Sequence, residues 1–415
     1  MPNKARGSSV DGPEVRPENS AAGQRQLREN LVDKVRDIVP ILRNNAARAE
    51  EIRRIPDENL AVLDAAGLFG LRAPKRYGGL EADLRTYLDV VAEIGRGCGS
   101  TAWIAFISNA TAWIASLFSD DAQDDFFAGK PDARFIGLLA PTSEAMIVEG
   151  GFAVSGSWAF ASGCHHADWA LLAVPLPQAD SSIVSGLVAA PVSDLRIEDT
   201  WHVVGMAATG SDTVHADKIF VPAHRTMPLG CLLGDAPLRS QRDELVYREA
   251  IMPGAILMVA APVLGMARAA MDLTLERIGR GTKRISYSSY EDLRMSPSMQ
   301  MQIAEAATLI ETSHTIVRQW CDDIADAARR GDEIPVLERA RMRMDLGHAV
   351  RSCRDGVDRL LNVQGASAFA KSNPIQQVWR DIECGTRHGL LSIEMPHEIY
   401  GRLLVGQNQS ISPFL

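Results

Sequence analysis

The sequence lacks several features that would assign it to a readily recognised class of protein. Its six cysteines stand singly, without a Cys-x-x-Cys pair, which favours reduced thiols over a disulfide framework or a zinc site. No apolar run approaches the roughly 20 residues that a membrane span needs, and the N-terminus has no apolar core of a signal peptide. We therefore expect a protein that stays in the cytoplasm and holds no metal.

Glycine-rich phosphate loops of the G-x-G-x-x-G or P-loop type are also missing after every predicted strand. Their absence indicates that the chain has no nicotinamide-binding domain of its own. The formal charge of -9 and the pI near 5.6 argue against a nucleic-acid surface or an anionic-membrane binder. With 46% hydrophobic and 23% charged residues over 415 positions, the composition is that of an ordinary globular protein with a large core.

The hydrophobic pattern changes twice along the chain and divides it into three parts after a polar tail. Residues 1–22 are rich in Gly, Pro, Ser and charge, and we expect them to be disordered. Apolar residues recur at three- and four-residue steps over 23–131, which predicts a helical domain. Strand-like runs follow over 132–240, and helical periodicity returns over 241–415. The sequence predicts an α+β fold, mainly α, with a central β domain between two helical domains.

The β domain and the C-terminal domain can each be described further. The strand-like runs are short and are separated by Gly, Pro, Ser and Asp, which predicts a small sandwich or barrel. They cover residues 135–139, 145–148, 151–160, 169–174, 183–189 and 213–221. Four long helices with few breaks predict an antiparallel bundle. These helices cover residues 250–275, 299–328, 335–363 and 379–404.

The segment 156–169 combines a strand pattern with an abrupt break. Alternation places Phe152, Val154, Trp158 and Phe160 on one side, and the pattern stops at Ser162-Gly163. Glycine lets the main chain approach a ligand where a Cβ would prevent it. The pattern therefore indicates backbone held close to a flat ligand, although an ordinary antiparallel strand pair would use the same residues.

Several motifs in this order resemble the acyl-CoA dehydrogenase fold, over residues 24–415. The segment 63–70 with Tyr77-Gly78-Gly79 is similar to the N-terminal signature of that superfamily, and 363–366 and 379–382 are similar to its C-terminal one. Three further segments resemble the oxygenase components of two-component flavin monooxygenases of the p-hydroxyphenylacetate hydroxylase type. They are residues 98–103, 158–164 and 201–211.

The resemblance implies an oxygenase that depends on a second protein. Such relatives take reduced FAD or FMN from a separate NAD(P)H:flavin reductase, add O2 to form a C4a-hydroperoxide, and hydroxylate an aromatic substrate. It also implies a homotetramer in which Gln364 and Gly365 touch the flavin of a neighbouring subunit. Oxygenation of nitrogen or sulfur stays open within the same fold.

By the same resemblance, Ser162 and His388 are the candidate catalytic residues. Ser162 matches the serine beside the flavin N5, where a hydroxyl can donate and accept. His388 matches the C-terminal active-site histidine, and its side chain suits proton transfer near neutral pH. On pattern alone, Ser162 could instead be a turn serine and His388 a helix-cap histidine.

The remaining candidates would surround the flavin and the substrate. The cofactor-binding candidates are Leu139, Ala140, Trp158, Phe160, Ala161, Ser162, Thr209, Ser211, Arg284, Gln364 and Gly365. Trp158 could equally fill the β core, and Arg284 could be a solvated loop charge. The substrate-binding candidates are Phe106, Asn109, Thr111 and Trp113. Thr111 stands where related phenol hydroxylases carry a histidine, and a threonine is a poor base, so we expect a polycyclic or indole-type natural product rather than a simple phenol.

Two alternative interpretations remain from the sequence, and a third is rejected. An acyl-CoA dehydrogenase would need a carboxylate base, and segment 384–390 has no Glu at the matching place, although some dehydrogenases carry the base elsewhere. A non-catalytic helical assembly protein could use the same fold. A metal site at His165, His166 and Asp168 is rejected because adjacent strand residues face opposite sides and no further ligand has the right spacing.

Overall fold

A computed structural model describes residues 21–415 except 140, 141, 179, 234–243, 282, 283, 408, 410, 413 and 415. The predicted N-terminal tail lies outside the described residues apart from its last two positions, which begin the first helix. The fold class predicted from the sequence is confirmed: helices precede and follow a central pair of β-sheets.

The N-terminal part is helical, as the apolar periodicity predicts. Its helices are α1 (Ala21–Ile52), α2 (Asp57–Ala65), α3 (Leu84–Gly97), α4 (Gly99–Ala115) and α5 (Asp120–Phe127). Helix α3 begins where the Asp83 side chain accepts a hydrogen bond from the backbone N–H of Thr86, which satisfies a donor that the helix cannot. Helix α4 is apolar nearly all round, and it is buried between its neighbours. It becomes one wall of the candidate site.

The central part is a sandwich of two four-stranded sheets. Its strands are β1 (Phe135–Leu138), β2 (Thr142–Val148), β3 (Gly151–Trp158), β4 (Trp169–Pro177), β5 (Ile183–Pro191), β6 (Arg196–Glu198), β7 (Thr213–Pro222) and β8 (Thr226–Pro228). One sheet has the order β1-β4-β5-β8 and the other β2-β3-β7-β6. The sandwich core includes Val154, Trp158, Leu172, Val188 and Val214. Strands β6 and β8 were not predicted, because three residues are too few to display an alternating pattern.

The C-terminal part is built on long helices. The helices after the sandwich are α6 (Gly230–Leu233), α7 (Leu245–Arg248), α8 (Ile251–Met258), α9 (Ala260–Gly279), α10 (Pro297–Arg330), α11 (Val336–Gln364), α12 (Ile375–Gly385) and α13 (Glu394–Leu404). Two of the predicted helices differ in detail from the structure. The helix expected over 250–275 is present as the segment Ile251–Gly279, in which one irregular residue, Val259, separates α8 from α9. The helix expected over 379–404 is interrupted between α12 and α13, and His388 lies in that interruption.

The segment Ile251–Gly279 has the length and composition of a membrane span, with a mean hydropathy of 1.7. This differs from the expectation that no apolar run would be long enough. However, 83% of its most apolar window is buried inside the fold. A helix packed in the core of a soluble protein passes the same test, so the hydropathy reflects its central position among α3, α10, α11 and α12.

Candidate functional site

The turn that follows strand β3 has an unusual backbone. Phe160 adopts a left-handed conformation with φ of 61°, and its side chain is 71% exposed with its ring edge-on to Trp201 at 6.0 Å. The strand predicted over 151–160 ends at Trp158, so the prediction that Phe160 lies on the same side of that strand as Trp158 is wrong. A non-glycine residue in this region costs energy, and such residues cluster at ligand-binding turns.

Gly163 lets this turn lie directly on helix α4. Its φ is +85°, and a Cβ added there would stand 3.1 Å from Cδ1 of Ile104. Its backbone N–H donates to the carbonyl of Thr209 at 2.9 Å, and the N–H of Ala161 donates to the carbonyl of Asp212 at 2.9 Å. The turn is thus fixed both to α4 and to the segment before strand β7.

Three buried hydroxyl groups lie side by side behind the turn. The Oγ atoms of Ser162 and Ser211 are 2.7 Å apart, and the Ser211 Oγ is 2.6 Å from the Thr209 Oγ1. The Thr209 hydroxyl donates to the carbonyl of Met206 at 2.7 Å. The structure therefore brings together three of the residues proposed from the sequence, although they come from segments nearly fifty residues apart.

The segment that carries Thr209 and Ser211 is anchored on helix α12. The backbone N–H of Met206 donates to the Asp381 Oδ1 at 2.5 Å. A Cβ on Gly205 would stand 2.1 Å from the carbonyl oxygen of Arg380, so only glycine permits this approach. Burial, with a smaller contribution from Glu50, raises the pKa of Asp381 to about 7. Asp381 thus anchors the segment that carries the hydroxyl groups, and we did not single it out from the sequence, although it lies within the motif 379–382.

His388 approaches helix α4 from the break between α12 and α13. Its ring meets Trp103 edge-on with centroids 5.7 Å apart, and Trp103 in turn contacts Phe106 at 5.4 Å. The His388 Nδ1 accepts from the backbone N–H of Leu390 at 3.3 Å, and burial lowers the pKa of the imidazole. A neutral ring that accepts at Nδ1 carries its hydrogen on Nε2. The histidine therefore caps a short helix and also presents a donor nitrogen.

The turn and the histidine thus contact consecutive residues of one helix. Gly163 lies against Ile104, and His388 lies against Trp103. Residues one position apart on a helix point about 100° away from each other. The turn that carries Ser162 and the ring of His388 therefore lie against the same turn of α4 from two directions, one from the β-sandwich and one from the C-terminal helices.

The substrate candidates on α4 divide into two groups. Phe106 lies next to Trp103, and the Oγ1 of Thr111 faces strand β1, 2.9 Å from the place of a Cβ on Gly137. Asn109 and Trp113 are completely buried, and the structure gives them another role. The Asn109 amide donates to the carbonyls of Leu68 and Ala105.

Asn109 and Trp113 instead contact Arg72, Asn109 at its backbone and Trp113 at its buried guanidinium. Asn109 accepts from the Arg72 backbone N–H, and the Arg72 guanidinium lies 4.3 Å from the centroid of the Trp113 ring. The Trp113 indole N–H donates to the carbonyl of Val246. The prediction that these two side chains contact substrate is therefore corrected, since their polar atoms are already bound within the chain.

The remaining cofactor candidates lie in three places. Leu139 follows strand β1 and is 41% exposed, whereas Ala140 lies outside the described residues. Ala161 is buried, and Trp158 is a core residue whose indole N–H donates to the carbonyl of Ala173. The interpretation of Trp158 as part of the core fits these contacts better than direct flavin binding.

Arg284, Gln364 and Gly365 belong to the C-terminal part. The exposed Arg284 side chain lies 3.4 Å from Glu291. The Gln364 amide donates to Thr274 and accepts from Asn373. A cavity of about 310 Å³ opens beside Gln364, and two arginines help to line it. They are Arg277 and Arg280. The structure does not place these residues in the Ser162 cluster.

The metal site that we rejected from the sequence comprised His165, His166 and Asp168, whereas the structure brings His165 together with other residues. Asp168 binds Lys130 and the Arg134 backbone, whereas His165 pairs with Asp212 at 2.7 Å. Cys164, His165 and Asp212 have ligand atoms within 4.8 Å of one another. Burial raises the pKa of the Cys164 thiol to about 12, so without a metal the thiol is protonated at neutral pH. We therefore describe the group as a histidine–aspartate hydrogen bond.

The residues around Ser162 fit a planar ring with polar edges. Phe160 offers exposed apolar surface, and the buried Ser162 hydroxyl lies two residues further along the same turn. A flat heteroaromatic cofactor requires this combination of apolar faces and a few polar groups that fix its orientation.

Comparison with known proteins identifies the family. The sequence profile "Acyl-CoA dehydrogenase, N-terminal domain" matches residues 22–129, and "Acyl-CoA dehydrogenase, C-terminal domain" matches 257–393. The chain is 34% identical to the flavin-dependent monooxygenase, oxygenase subunit HsaA, of Rhodococcus jostii, over 88% of this chain and 95% of that protein. It is 30% identical to the FADH(2)-dependent resorcinol hydroxylase, oxygenase component, of a Rhizobium species, over 91% of this chain and 94% of that protein.

A solved structure shows the same relationship. XiaF from a Streptomyces species, in complex with FADH2 and glycerol, superposes with a TM-score of 0.87 at 32% identity, covering 95% of this chain and 98% of that one. The fold, the two domain profiles and these relatives agree with one another. The chain belongs to the flavin-dependent monooxygenases of the acyl-CoA dehydrogenase fold, and it is the oxygenase component of a two-component enzyme.

Proposed function

We propose that this oxygenase hydroxylates an aromatic substrate at the site between the Ser162 turn, helix α4 and His388. Reduced FAD or FMN is its cofactor, and the chemistry that the flavin supplies when bound is the activation of O2 as a C4a-hydroperoxide. The observation that carries the proposal is that the turn after strand β3, at Gly163 next to Ser162, and the ring of His388 contact consecutive residues of helix α4. The comparisons favour this activity over that of an acyl-CoA dehydrogenase, because the relatives are monooxygenases.

The chain's own residues would hold and shield the reacting groups. The Ser162 hydroxyl would bind the polar edge of the ring, and the exposed Phe160 would cover part of its face. The neutral His388 would offer its Nε2–H to the oxygen that is being transferred or to a substrate oxygen. Trp103, Phe106 and the other apolar side chains of α4 would exclude water, which strengthens each polar interaction in the site.

The substrate that we propose is a polycyclic or indole-type aromatic. Trp103 and Phe106 supply aromatic surface, and Thr111 supplies a hydroxyl without the basicity needed to form a phenolate. A relative that is 25% identical over 379 residues is named indole-3-acetate monooxygenase, which supports a fused nitrogen heterocycle. The resorcinol hydroxylase shows that a simple phenol also suits this family.

The partners follow from the two-component arrangement. A separate NAD(P)H:flavin reductase would supply reduced flavin, since the relatives are named oxygenase components or subunits. We also propose a homotetramer in the cytoplasm. Exposed apolar side chains on the C-terminal helices, including Met301 and Phe369, are the kind of surface that association covers.

The test is stopped-flow mixing of the anaerobic reduced-flavin complex with oxygen. We expect a transient flavin–oxygen adduct that absorbs in the near ultraviolet and decays slowly in the wild type. Ser162→Ala should shorten its lifetime, because the polar edge of the ring loses a hydrogen-bond partner. His388→Ala should lower the yield of hydroxylated product by about tenfold or more, since one positioned proton donor contributes roughly 10²-fold or more.

His397→Ala is the matched control, because His397 is an exposed histidine whose ring forms a hydrogen bond with the carbonyl of Ile393 on its own helix segment. It should leave both the adduct and the product yield unchanged. Direct oxidation of the flavin by the wild type, with no adduct and no product from any of several indoles and fused aromatics, would contradict the proposal.

A further inference from the structure

The hydroxyl groups of Ser162, Ser211 and Thr209 form a chain whose direction can be deduced. The Thr209 Oγ1 lies 2.7 Å from the carbonyl oxygen of Met206. A carbonyl oxygen can only accept, so the single hydroxyl hydrogen of Thr209 points toward Met206. The 2.6 Å contact between Thr209 and Ser211 must then be donated by Ser211.

The direction of the Ser162 hydroxyl follows from that of Ser211. Ser211 has one hydroxyl hydrogen, and it is directed at Thr209. The 2.7 Å contact between Ser162 and Ser211 must therefore be donated by Ser162. The opposite direction would set the Thr209 oxygen against the Met206 carbonyl at 2.7 Å with no hydrogen between them, which is repulsive. Ser162 consequently retains lone pairs for another partner and has no hydrogen left to donate.

The carbonyl of Met206, which accepts the last hydrogen bond of the three hydroxyl groups, is held in place by the fold. The Met206 peptide is fixed by the hydrogen bond from its N–H to Asp381 on helix α12. Met206 has a φ of 55°, a left-handed conformation that persists only where the surroundings impose it. All three hydroxyl-bearing residues are buried, so bulk water does not compete for these hydrogens. The direction of the chain is thus a property of the folded protein and not of the ligand.

We infer that this chain of three hydroxyl groups presents Ser162 to the ligand as a hydrogen-bond acceptor only. Ser211 and Thr209 thereby make the site select reduced over oxidised flavin. On reduction, the isoalloxazine N5 changes from a hydrogen-bond acceptor to an N–H donor. A hydroxyl that can only accept would form a hydrogen bond with the N5–H of the reduced ring. Against the oxidised ring, a lone pair of the Ser162 oxygen would face the lone pair of N5, which is repulsive. Ser211 and Thr209 then act as positioning residues through Ser162 rather than as direct flavin contacts. The inference rests on the proposed function, in which Ser162 meets the polar edge of the flavin.

The selection would serve an enzyme that receives its flavin by transfer. Oxidised flavin is the species left after each turnover and the one that circulates when the reductase is idle. A site that opposes the oxidised ring releases it and remains open to the reduced ring. The discrimination needs no conformational change, because the hydroxyl directions are set before the flavin binds.

The experiment measures dissociation constants of oxidised and dithionite-reduced FMN and FAD, the latter under anaerobic conditions. Ser211→Ala removes the acceptor of the Ser162 hydrogen and frees Ser162 to donate to an oxidised ring. We expect the ratio of the oxidised to the reduced dissociation constant to fall about tenfold, the value of one hydrogen bond of roughly 1.4 kcal/mol. Thr209→Val should lower the ratio in the same direction, because Ser211 can then reverse and donate to Ser162. Thr209→Ser keeps the hydroxyl and should keep the ratio.

Thr200→Val is the matched control, since the hydroxyl of Thr200 pairs with that of Thr213 at 2.9 Å. This pair lies close by in the sequence but does not belong to the chain of hydroxyl groups that ends at Ser162. The ratio in Thr200→Val should equal that of the wild type. If Ser211→Ala and Thr209→Val weaken both flavin forms equally, the hydroxyls have only a structural role and the inference fails. Equal affinity of the wild type for both forms would also overturn it while leaving the proposed function intact. A wild type that binds neither form would instead refute the proposed function.

Discussion

Asp381 gives the protein a pH-dependent stability that can be worked out from the structure. Its carboxyl is buried beneath the Met206 segment, and the pKa rises from an ordinary 3.8 to about 7. A raised folded-state pKa means that the folded chain binds the proton more tightly than the unfolded chain. The associated stability is fully present below pH 3.8 and is lost as the pH rises through 7.

The magnitude follows from the size of the shift. Each pKa unit corresponds to about 1.4 kcal/mol, so the protonated carboxyl contributes about 4 kcal/mol at acidic pH. About 3 kcal/mol of this remains at pH 5 and is lost by pH 8. In Asp381→Asn, the side-chain oxygen can still accept from the Met206 N–H and the group does not titrate. We expect the free energy of unfolding of the wild type, relative to the variant, to fall by about 3 kcal/mol between pH 5 and pH 8.

The assay is urea unfolding followed by tryptophan fluorescence at four pH values and a fixed protein concentration. Glu398→Gln, at an exposed position on helix α13, serves as the control for removal of a carboxylate and should follow the wild type. Parallel pH curves for the wild type and Asp381→Asn would refute the reasoning, because they would show that the buried carboxyl does not change its protonation on folding.

Two further predictions concern the buried framework of the site. Glu249→Gln leaves the completely buried Arg72 guanidinium without its anion, and it should lower the free energy of unfolding in urea titrations by roughly 3–5 kcal/mol. The double variant with Arg72→Met should recover part of this loss, because no buried charge then remains unpaired. A loss below about 1 kcal/mol in Glu249→Gln would contradict the prediction. Gly163→Ala places a side chain on a residue with a left-handed φ of +85° and against Ile104. The resulting strain of roughly 1–3 kcal/mol should lower the affinity for reduced flavin by about tenfold or more. An unchanged dissociation constant in equilibrium binding would show that the turn does not shape the flavin site.

The sequence alone was sufficient for the architecture. Periods of 3.6 and 2 residues report which side of an element is buried, and they located the helical and β parts of the chain, the long helices α10 and α11, and six of the strands. They missed β6 and β8, which are too short to show a period. The break at Ser162-Gly163 also appeared in the sequence, because a strand pattern that ends at glycine marks a place where backbone can approach another group closely. Motif order then indicated the family.

Only the tertiary structure decided which polar groups meet. Met206 and Asp381 are 175 positions apart, and Ser162 and Ser211 are 49 apart, so no local pattern could pair them. Asn109 lies on the same helix as Phe106, yet it binds Arg72 because the neighbouring loop, and not the helix, determines what each face contacts. Periodicity encodes burial, which depends on local chain geometry. Hydrogen-bond partners and their direction depend on how distant segments pack, and that information appears only when the chain is folded.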